Sequence, residues 1–445
     1  MKMPMSNALT IAGSDSVGGA GLQADLKAFE ALGIHACSVV TCVTSQNTKG
    51  VSSIFAIPPA EVASQLDSVL SDVPLDAVKT GMLYSPEIVK VVASGLARLE
   101  APIIVDPVMA ATTGSSLHRS GFVEALISKM LPIATLVTPN LGEASKLSGI
   151  SVKDERSAKK AALEILELGP KAVLVKGGHL KGPDAVDYLF TRKGFKKFVS
   201  RRVDSEVHGT GCSLASLIAG NMALGLDLED AVESSKAAIF KAILSREKVG
   251  HGVPCANPLA ILRIQAGRVE MLERLDDAAR ELESILSPGL VPEVGCNMGY
   301  AILGAAGPEE VAAFEGRIVR VGDKAMRTGC ARFGASKHVA RIVLAASSFD
   351  PSARCALNLK YSEENLSSCR KARLSIATFD RADEPKGVSS MTWGVARAIQ
   401  VHGKVPDVIY DRGGHGKEPM IRLLGTSPED TMSKLRKIRS AAKGR

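Results

Sequence analysis

The residues best suited to carry out a reaction are a cysteine and two glycines placed directly before an uncharged stretch. The motif is His208-Gly209-Thr210-Gly211-Cys212, and no charged side chain follows it until Asp227. Small residues at a helix N-terminus let backbone N–H groups converge on an anion, which the helix dipole also favours. We therefore expect this backbone to bind a phosphate group in transfer. Cys212 is then a base or nucleophile, because a first-turn position lowers a thiol pKa; a cysteine packed in a buried helix is the alternative.

Side chains that suit a magnesium–phosphate complex stand at the ends of three predicted strands. Asp106 ends one strand, and Asn140 and Glu143 follow a second. Lys176 ends a third, ahead of Gly177-Gly178-His179. Mg²⁺ takes one or two carboxylates together with phosphate oxygens and water, and a lysine neutralises phosphate charge. Helix capping by Asn140 and simple exposure of Lys176 are the alternatives.

A second glycine-rich turn, Gly13-Ser14-Asp15-Ser16-Val17-Gly18-Gly19-Ala20-Gly21, follows the first predicted strand and opens a helix. Glycines at such a turn let a ligand approach the backbone closely, although a tight strand-to-helix turn has the same composition. The turn is not a GxGxxG fingerprint, and the chain has no GxxxxGK[ST] loop. Neither a Rossmann dinucleotide site nor a P-loop is predicted.

The C-terminal part contains a separate set of anion-binding candidates. Its cations precede a helix predicted to begin near Ser336: Arg317, Arg320, Lys324, Arg327, Arg332 and Lys337. His338 lies in the first turn of that helix, where it contacts a phosphate or acts as an acid, or simply caps the helix. The segment 411–419 is a polar glycine loop after a strand, and it combines backbone amides with cations; a surface hairpin is the alternative.

The elements that must position these residues alternate between short apolar strands and longer amphipathic helices. The predicted N-terminal strands are Ala8–Ala12, Ala36–Val43, Ile103–Asp106, Leu136–Thr138 and Ala172–Lys176. The predicted helices between them are Leu22–Leu32, Ala60–Leu70, Pro86–Leu99, Gly121–Leu131 and Ser157–Leu168. Such alternation predicts an α/β fold with a mostly parallel sheet, in which ligands bind at the carboxyl ends of strands.

A domain boundary is predicted between about 250 and 262. A long amphipathic helix begins after Pro258 and ends at Pro288-Gly289, and strands and helices alternate again beyond it. We therefore expect domains at 1–255 and 262–445. The basic C-terminal tail is either a nucleic-acid contact or a solvated helix end, and the lack of an accompanying nucleic-acid motif favours the helix end. Its cations are Lys434, Arg436, Lys437, Arg439, Lys443 and Arg445.

Composition excludes several classes of protein. The 445 residues are 45% hydrophobic and 23% charged, which is typical of globular domains and not of disordered or collagen-like chains. The eight cysteines form no CxxC pair, so neither a zinc site nor a disulfide framework is predicted, and a reducing cytoplasm is the expected location. The uncharged stretch 209–226 contains polar residues and four glycines, which favours a buried helix over a membrane span.

The order of the N-terminal motifs resembles the ribokinase-like superfamily, and within it the hydroxymethylpyrimidine/phosphomethylpyrimidine kinases of thiamine synthesis. The resemblance covers residues 8 to about 250. It depends on residues 12–15, 18–25, 44–48, 79–83, 106–109, 138–144 and 208–212. Sugar kinases of the superfamily have aspartate where Cys212 stands, so the cysteine marks the pyrimidine-kinase branch and its close relatives.

This resemblance implies an α/β/α sandwich and a role for each candidate, with ATP as phosphoryl donor. Substrate binding falls to Gln46, Asp25, Met82 and Gly13. ATP and anion binding falls to Gly209, Thr210, Gly211, Asn140 and Lys176. Glu143 and Asp106 act on Mg²⁺, and Cys212 is the base for the hydroxymethyl group. The family commonly has alanine before the glutamine, whereas this chain has Ser45.

Residues 262 to about 430 resemble the thiamine-phosphate synthase domain that archaea fuse to this kinase. The resemblance depends on residues 292–297, 316–318, 333–340, 358–361 and 416–421. It implies a second α/β/α domain akin to class II aldolases, with Arg317 and His338 in phosphate contact and catalysis. The second choices for that site are Asn297, Asn358, Lys360 and Lys417.

Together the two resemblances imply a cytoplasmic bifunctional enzyme. It phosphorylates hydroxymethylpyrimidine and then its monophosphate, and condenses the diphosphate with thiazole phosphate to give thiamine phosphate and pyrophosphate. The expected partners are these small molecules, ATP and further copies of the chain, with no nucleic acid and no membrane. Two alternatives remain: a pyridoxal-type kinase, and a C-terminal domain that senses thiamine phosphate without making it.

Overall fold

The computed structural model describes residues 5–110, 117–178, 180, 182, 184–203, 205–385, 390–414 and 416–443. His179, His415 and Arg445, which belong to motifs discussed above, lie outside these residues. Contacts between residues divide the chain into two compact units, Met1–Leu262 and Arg263–Arg445. Each unit has its own central sheet.

The N-terminal unit is built on a nine-stranded sheet in the order β3-β2-β1-β4-β5-β6-β7-β8-β9. Its strands are β1 (Asn7–Asp15), β2 (His35–Asn47), β3 (Gly50–Ala56), β4 (Ala77–Thr80), β5 (Ile103–Val105), β6 (Leu136–Val137), β7 (Ala172–Lys176), β8 (Asp184–Thr191) and β9 (Gly194–Arg201). Strands β2, β1, β4, β5, β6 and β7 pair in parallel. The prediction of a mostly parallel sheet is confirmed. The antiparallel strands β3, β8 and β9 were not predicted.

Helices cover both faces of this sheet because successive residues of its strands point to opposite sides. The helices are α1 (Gly21–Ala31), α2 (Pro59–Leu70), α3 (Pro86–Leu96), α4 (Phe122–Ala125), α5 (Leu141–Ser148), α6 (Glu155–Glu167), α7 (Thr210–Ala223) and α8 (Leu228–Leu244). Ile103 and Val105 pack against the face covered by α2 to α6, whereas Ile104 packs with α1, α7 and α8. The uncharged stretch forms the buried helix α7, as predicted.

No helix in the described part of the chain combines the length and apolar character needed to cross a membrane.

The C-terminal unit is a second α/β structure, and most of its sheet is antiparallel. The seven strands run in the order β14-β11-β10-β15-β18-β17-β16, and β12 and β13 form a separate hairpin. These strands are β10 (Met298–Ala301), β11 (Val311–Phe314), β12 (Ile318–Val321), β13 (Lys324–Arg327), β14 (Ala331–Phe333), β15 (Cys355–Lys360), β16 (Ile376–Thr378), β17 (Val408–Asp411) and β18 (Met420–Gly425). Only β16 and β17, among the described strands of this sheet, pair in parallel.

Helices again lie on both faces, which makes three layers. The helices are α9 (Ala260–Ala266), α10 (Arg268–Ile285), α11 (Lys337–Ser347), α12 (Glu363–Lys371), α13 (Ser390–His402) and α14 (Pro428–Lys443). One face packs against α10, α12 and α14, and the other against α11 and α13. The long helix predicted after Pro258 is divided at Gly267 into α9 and α10.

The basic tail is largely part of α14. Lys434 pairs with Asp407 at 2.9 Å, and Arg436 pairs with Glu281 at 2.6 Å. These ion pairs support the interpretation of the tail as a helix end packed on its own unit.

Candidate active sites

The predicted phosphate and metal residues of the N-terminal unit meet at the carboxyl edge of the parallel strands. Asp106 directly follows β5, Asn140 follows β6 and Lys176 ends β7. A Cβ atom added to Gly211 would lie 3.2 Å from Lys176 Nζ and 4.0 Å from Asp106 Oδ2. The N-terminus of α7 therefore faces the lysine and the aspartate.

Two buried carboxylates at this edge share one lysine. Lys176 Nζ lies 2.7 Å from Asp106 Oδ1. Burial, reinforced by the charge of Asp106, raises the pKa of Glu143 to about 7, although Lys176 opposes the change. A carboxylate that is hard to ionise beside a second one marks a place where an additional cation is stabilised. The residues therefore fit Mg²⁺, which Asp106 and Glu143 would hold.

In the described part of the chain, no group of three or more histidine, cysteine, aspartate or glutamate side chains is arranged for a metal ion. Phosphate oxygens and water would have to complete the coordination of a Mg²⁺ ion held by Asp106 and Glu143, which is the usual arrangement for this ion.

Asn140 caps α5, which was the alternative considered for it. Its Oδ1 accepts from Glu143 N at 2.9 Å, and Glu143 Oε2 accepts from Asn140 N at 2.7 Å. This reciprocal capping box holds the Glu143 carboxylate at the start of the helix. Asn140 thereby positions Glu143 whether or not it also contacts ATP.

The prediction of a lowered thiol pKa at Cys212 is wrong. Cys212 lies in the first turn of α7 and is partly exposed. Loss of water around the thiolate, together with repulsion by Asp106 and Asp25, raises the pKa of this thiol to about 11, although Lys79 opposes the change. Burial, assisted by the two carboxylates, outweighs the favourable helix end at this position. Neutralisation of the Asp106 charge would lower the pKa of Cys212.

Asp25 lies beneath the site and not on its surface. Its carboxylate is fully buried and accepts hydrogen bonds from Lys79 at 2.7 Å, Thr10 at 2.6 Å and Ser216 at 2.7 Å. Substrate contact was predicted for Asp25, but these donors already surround it. Burial opposes the charge of Lys79, yet Asp25, Cys212 and Asp106 together raise its pKa.

Lys79 is a functional candidate that the motifs did not predict, although a lysine inside the apolar strand Ala77–Thr80 indicates a buried charge. It connects Asp25 to Cys212 electrostatically.

A chain of polar contacts connects Gln46 to the glycine-rich turn at residues 13–21. Gln46 Nε2 lies 2.9 Å from His208 Nε2, which lies 3.3 Å from Asp15 Oδ2. Asp15 also accepts from the backbone N–H groups of Gly19 and Ala20. Asp15 and His208 belong to the two glycine-rich motifs, but local spacing predicts no role for either residue, because only the fold places them together.

The two glycine-rich turns pack directly on each other. Gly209 has φ of 80°, and a Cβ atom there would lie 1.7 Å from Gly19 O. A Cβ atom on Gly13 would lie 2.6 Å from Cys42 Sγ and 3.3 Å from Met82 Sδ, so Gly13 and Met82 are neighbours. The absence of side chains at Gly13 and Gly209 is what allows these close approaches.

The C-terminal unit contains a cavity of about 480 Å³ that brings Arg317 and His338 together. The Arg317 guanidinium donates to Val294 O, which anchors it at the cavity wall. Partial burial, together with repulsion by the four arginines Arg422, Arg317, Arg381 and Arg341, lowers the pKa of His338 to about 4. His338 is therefore neutral at pH 7.

The second-choice residues of this unit have structural partners. Asn358 Oδ1 accepts from Asn297 N at 2.7 Å, and Asn358 Nδ2 donates to Gly295 O at 3.0 Å. Both asparagines line the cavity and shape its wall. Lys417 also lines it and pairs with Glu384 at 3.0 Å. Lys360, at the end of β15, is not part of the described lining.

The fold and site of the N-terminal unit define a ribokinase-like small-molecule kinase. A parallel sheet presents two acids and a lysine to a glycine-rich helix start, and Gln46 contacts His208 just ahead of that helix. The pyridoxal kinase of Staphylococcus aureus, solved with AMP-PCP and pyridoxal, is similar at a TM-score of 0.55 and 34% identity; the match covers 59% of this chain and 96% of that one.

Both units match known families in the same order along the chain. The phosphomethylpyrimidine kinase family model matches residues 15–257, and the thiamine-phosphate synthase ThiN model matches residues 274–437. The bifunctional thiamine biosynthesis protein ThiDN of Methanocaldococcus jannaschii is 33% identical over 438 residues, 97% of both chains. The chain belongs to the phosphomethylpyrimidine kinase family and carries a thiamine-phosphate synthase domain behind the kinase.

A further relative shares only the first unit. The thiamine biosynthesis bifunctional protein ThiED of Geobacter sulfurreducens is 47% identical over 251 residues, which is 56% of this chain and 51% of that protein. The chain therefore spans about half the length of that relative.

Proposed function

We propose that residues 1–255 use ATP and Mg²⁺ to phosphorylate hydroxymethylpyrimidine and then its monophosphate. We also propose that residues 262–445 condense the diphosphate with thiazole phosphate, giving thiamine phosphate and pyrophosphate. The observation that carries the proposal is the placement of the α7 N-terminus, with Cys212, against the Asp106–Lys176 ion pair. Eight free cysteines support a reducing cytoplasmic location.

The kinase residues supply position and charge, which are the main requirements of phosphoryl transfer. Backbone N–H groups of 209–211 bind the phosphoryl group, and Lys176 neutralises part of its charge. Gln46 orients the aminopyrimidine, because its amide both donates and accepts hydrogen bonds. Bound Mg²⁺ supplies charge neutralisation at the phosphates. Cys212 accepts the hydroxymethyl proton, and its high pKa makes it a strong base once the thiolate forms.

The synthase residues stabilise a leaving group. The carbon–oxygen bond to pyrophosphate breaks, its electron pair leaves with the pyrophosphate, and the thiazole nitrogen forms the new bond to carbon. Arg317 binds phosphate charge in the cavity, and neutral His338 donates a hydrogen bond to it without adding a charge. The three-layer arrangement of helices about the sheet supports a relationship of this unit to class II aldolases.

A pyridoxal-type kinase is the second candidate, because solved neighbours of the N-terminal unit are pyridoxal kinases at TM-scores of 0.54 and 0.55. The family model favours the pyrimidine. Turnover of the pyrimidine alcohol and of pyridoxal, measured with the same enzyme preparation, separates the two; we expect a higher kcat/KM for the pyrimidine alcohol.

The test of the whole proposal is a single incubation. Purified protein with ATP, Mg²⁺, hydroxymethylpyrimidine and thiazole phosphate should form thiamine phosphate, detected by chromatography. Omission of ATP should abolish the product, and addition of the pyrimidine diphosphate should restore it without ATP. Formation of the diphosphate without thiamine phosphate would contradict the synthase activity, and thiamine phosphate binding measured by calorimetry would then identify the C-terminal unit as a sensor.

A further inference from the structure

The largest fully buried side chain in the described part of the molecule is an arginine. Arg422, in β18, donates from Nη2 to Asp411 Oδ2 at 2.7 Å. Arg381 donates to the same carboxylate, from Nε to Oδ1 at 2.5 Å and from Nη2 to Oδ2 at 3.1 Å. Two guanidinium groups therefore share one carboxylate.

This cluster carries one positive charge more than its own residues compensate. Burial alone would raise the pKa of Asp411, but the hydrogen bonds and charges of Arg381 and Arg422 hold it below its usual range. The carboxylate is thus ionised and balances one of the two arginines. Arg422 Nε has no hydrogen-bond partner among the described residues. A buried charge without a counter-ion is costly, so the cluster favours an anion beside it.

The cavity of the synthase unit is where such an anion can reach the cluster. Arg381 lines the cavity together with Arg317 and His338. Asp411 engages Nε and Nη2 of Arg381, and Nη1 has no hydrogen-bond partner in the described part of the chain. The acids that line the same cavity are already engaged, since Glu384 pairs with Lys417 and Glu418 accepts from the backbone of 293 and 294.

We propose that Arg381 binds a phosphate group of one of the two phosphorylated substrates, and that Asp411 and Arg422 are positioning residues that hold its guanidinium at the cavity wall. The proposal depends on the synthase activity proposed above and adds a second phosphate contact to Arg317. A carboxylate that is hydrogen-bonded to one edge of a guanidinium fixes the orientation of its plane. Less side-chain conformational entropy is then lost when an anion binds the remaining N–H groups.

The experiment compares Arg381→Gln and Arg381→Lys with the unchanged enzyme in the synthase assay. We expect Arg381→Gln to raise the KM of one phosphorylated substrate at least tenfold and to leave the KM of the other within twofold. Arg381→Lys keeps the positive charge but loses the two-pronged guanidinium geometry. Its KM should therefore lie between that of the unchanged enzyme and that of Arg381→Gln. Inorganic pyrophosphate, used as an inhibitor, identifies the group: its inhibition constant rises with the KM only if Arg381 binds the diphosphate.

The matched control is Arg274→Gln. Arg274 forms the same kind of two-bond pair, with Glu429 at 2.8 and 2.6 Å, and does not line the described cavity. Its removal should leave both KM values and the pyrophosphate constant within twofold. Equal changes in both KM values, or no change in either, with Arg381→Gln still folded by circular dichroism, would overturn the proposal.

The failure of the synthase activity itself is a separate result. Inorganic pyrophosphate binding by the unchanged protein and by Arg381→Gln, measured by calorimetry, tests the site without turnover. Binding that is lost only in the variant supports the phosphate contact even if no thiamine phosphate forms. Equal pyrophosphate binding by both proteins excludes a contact with the diphosphate, and equal binding of thiazole phosphate in the same calorimetric comparison as well contradicts the proposal.

Discussion

At the scale of single residues, the state of Cys212 decides how the kinase takes up a proton. With a pKa of about 11, roughly one molecule in ten thousand carries a thiolate at pH 7. We predict that iodoacetamide labels Cys212 slowly at pH 7 and about a hundredfold faster at pH 9, because alkylation requires the thiolate. Mass spectrometry of the peptide that contains Cys212 measures both rates.

The control for this labelling is the variant Cys212→Ser, in which the same peptide should stay unmodified at both pH values. Labelling at pH 7 as fast as that of free cysteine would show that the helix end and Lys79 dominate over burial and the two aspartates.

Residue types predicted part of the kinase site and missed part of it. Asp106, Glu143 and Lys176 were chosen because each follows or ends a predicted strand, and the fold brings them to one edge. Lys79 and His208 were missed because their partners, Asp25 and Asp15, lie far away along the chain. Contacts between side chains that lie far apart in the sequence cannot be predicted from local spacing.

At the scale of elements, the site depends on the contact between the two glycine-rich turns. Gly209→Ala would place a Cβ atom 1.7 Å from Gly19 O in a backbone with φ of 80°. We predict a loss of kinase kcat/KM of at least a hundredfold, because the start of α7 must move away from Lys176. The left-handed conformation alone costs alanine about 1–2 kcal/mol of stability, and the clash adds to it.

Gly225→Ala is the matched control, because Gly225 also has a positive φ of 89° and a Cβ atom there meets nothing within 4 Å. Its free energy of unfolding, measured by urea titration, should fall by about 1–2 kcal/mol, with kcat/KM unchanged. Equal activities for the two variants would show that the turns can separate without harm.

Elements with a strong hydrophobic pattern were predicted well, whereas elements that depend on contacts with other strands or helices were not. The apolar runs of β1, β5 and β7 are typical of strands covered on both faces, and their parallel pairing follows. In the hairpin of β8 and β9, residues 187–190 of β8 are buried, but β9 has only Phe198 buried and carries adjacent lysines, so the sequence of β9 resembles a surface loop. The helix after Pro258 was predicted without its division at Gly267, because the apolar spacing continues across the glycine.

At the scale of the whole molecule, the two units have separate cores. Each cluster of buried apolar side chains in the described chain draws its residues from one unit, and each sheet does the same. A substitution that removes a charged group without disturbing a core should therefore affect one activity alone. Lys176 and Arg317 are suited to this test, because one belongs to each proposed site.

We predict that Arg317→Ala abolishes thiamine phosphate formation and leaves kinase turnover within twofold, and that Lys176→Met has the opposite effect. If the diphosphate is released between the reactions, an equal mixture of the two variants should convert the pyrimidine alcohol to thiamine phosphate, because each supplies the activity that the other lacks. Chromatography of the products measures all three cases.

A mixture that accumulates diphosphate without thiamine phosphate, although Lys176→Met alone uses added diphosphate, would require direct transfer within one chain. Unchanged synthase activity in Arg317→Ala would instead refute the assignment of that residue.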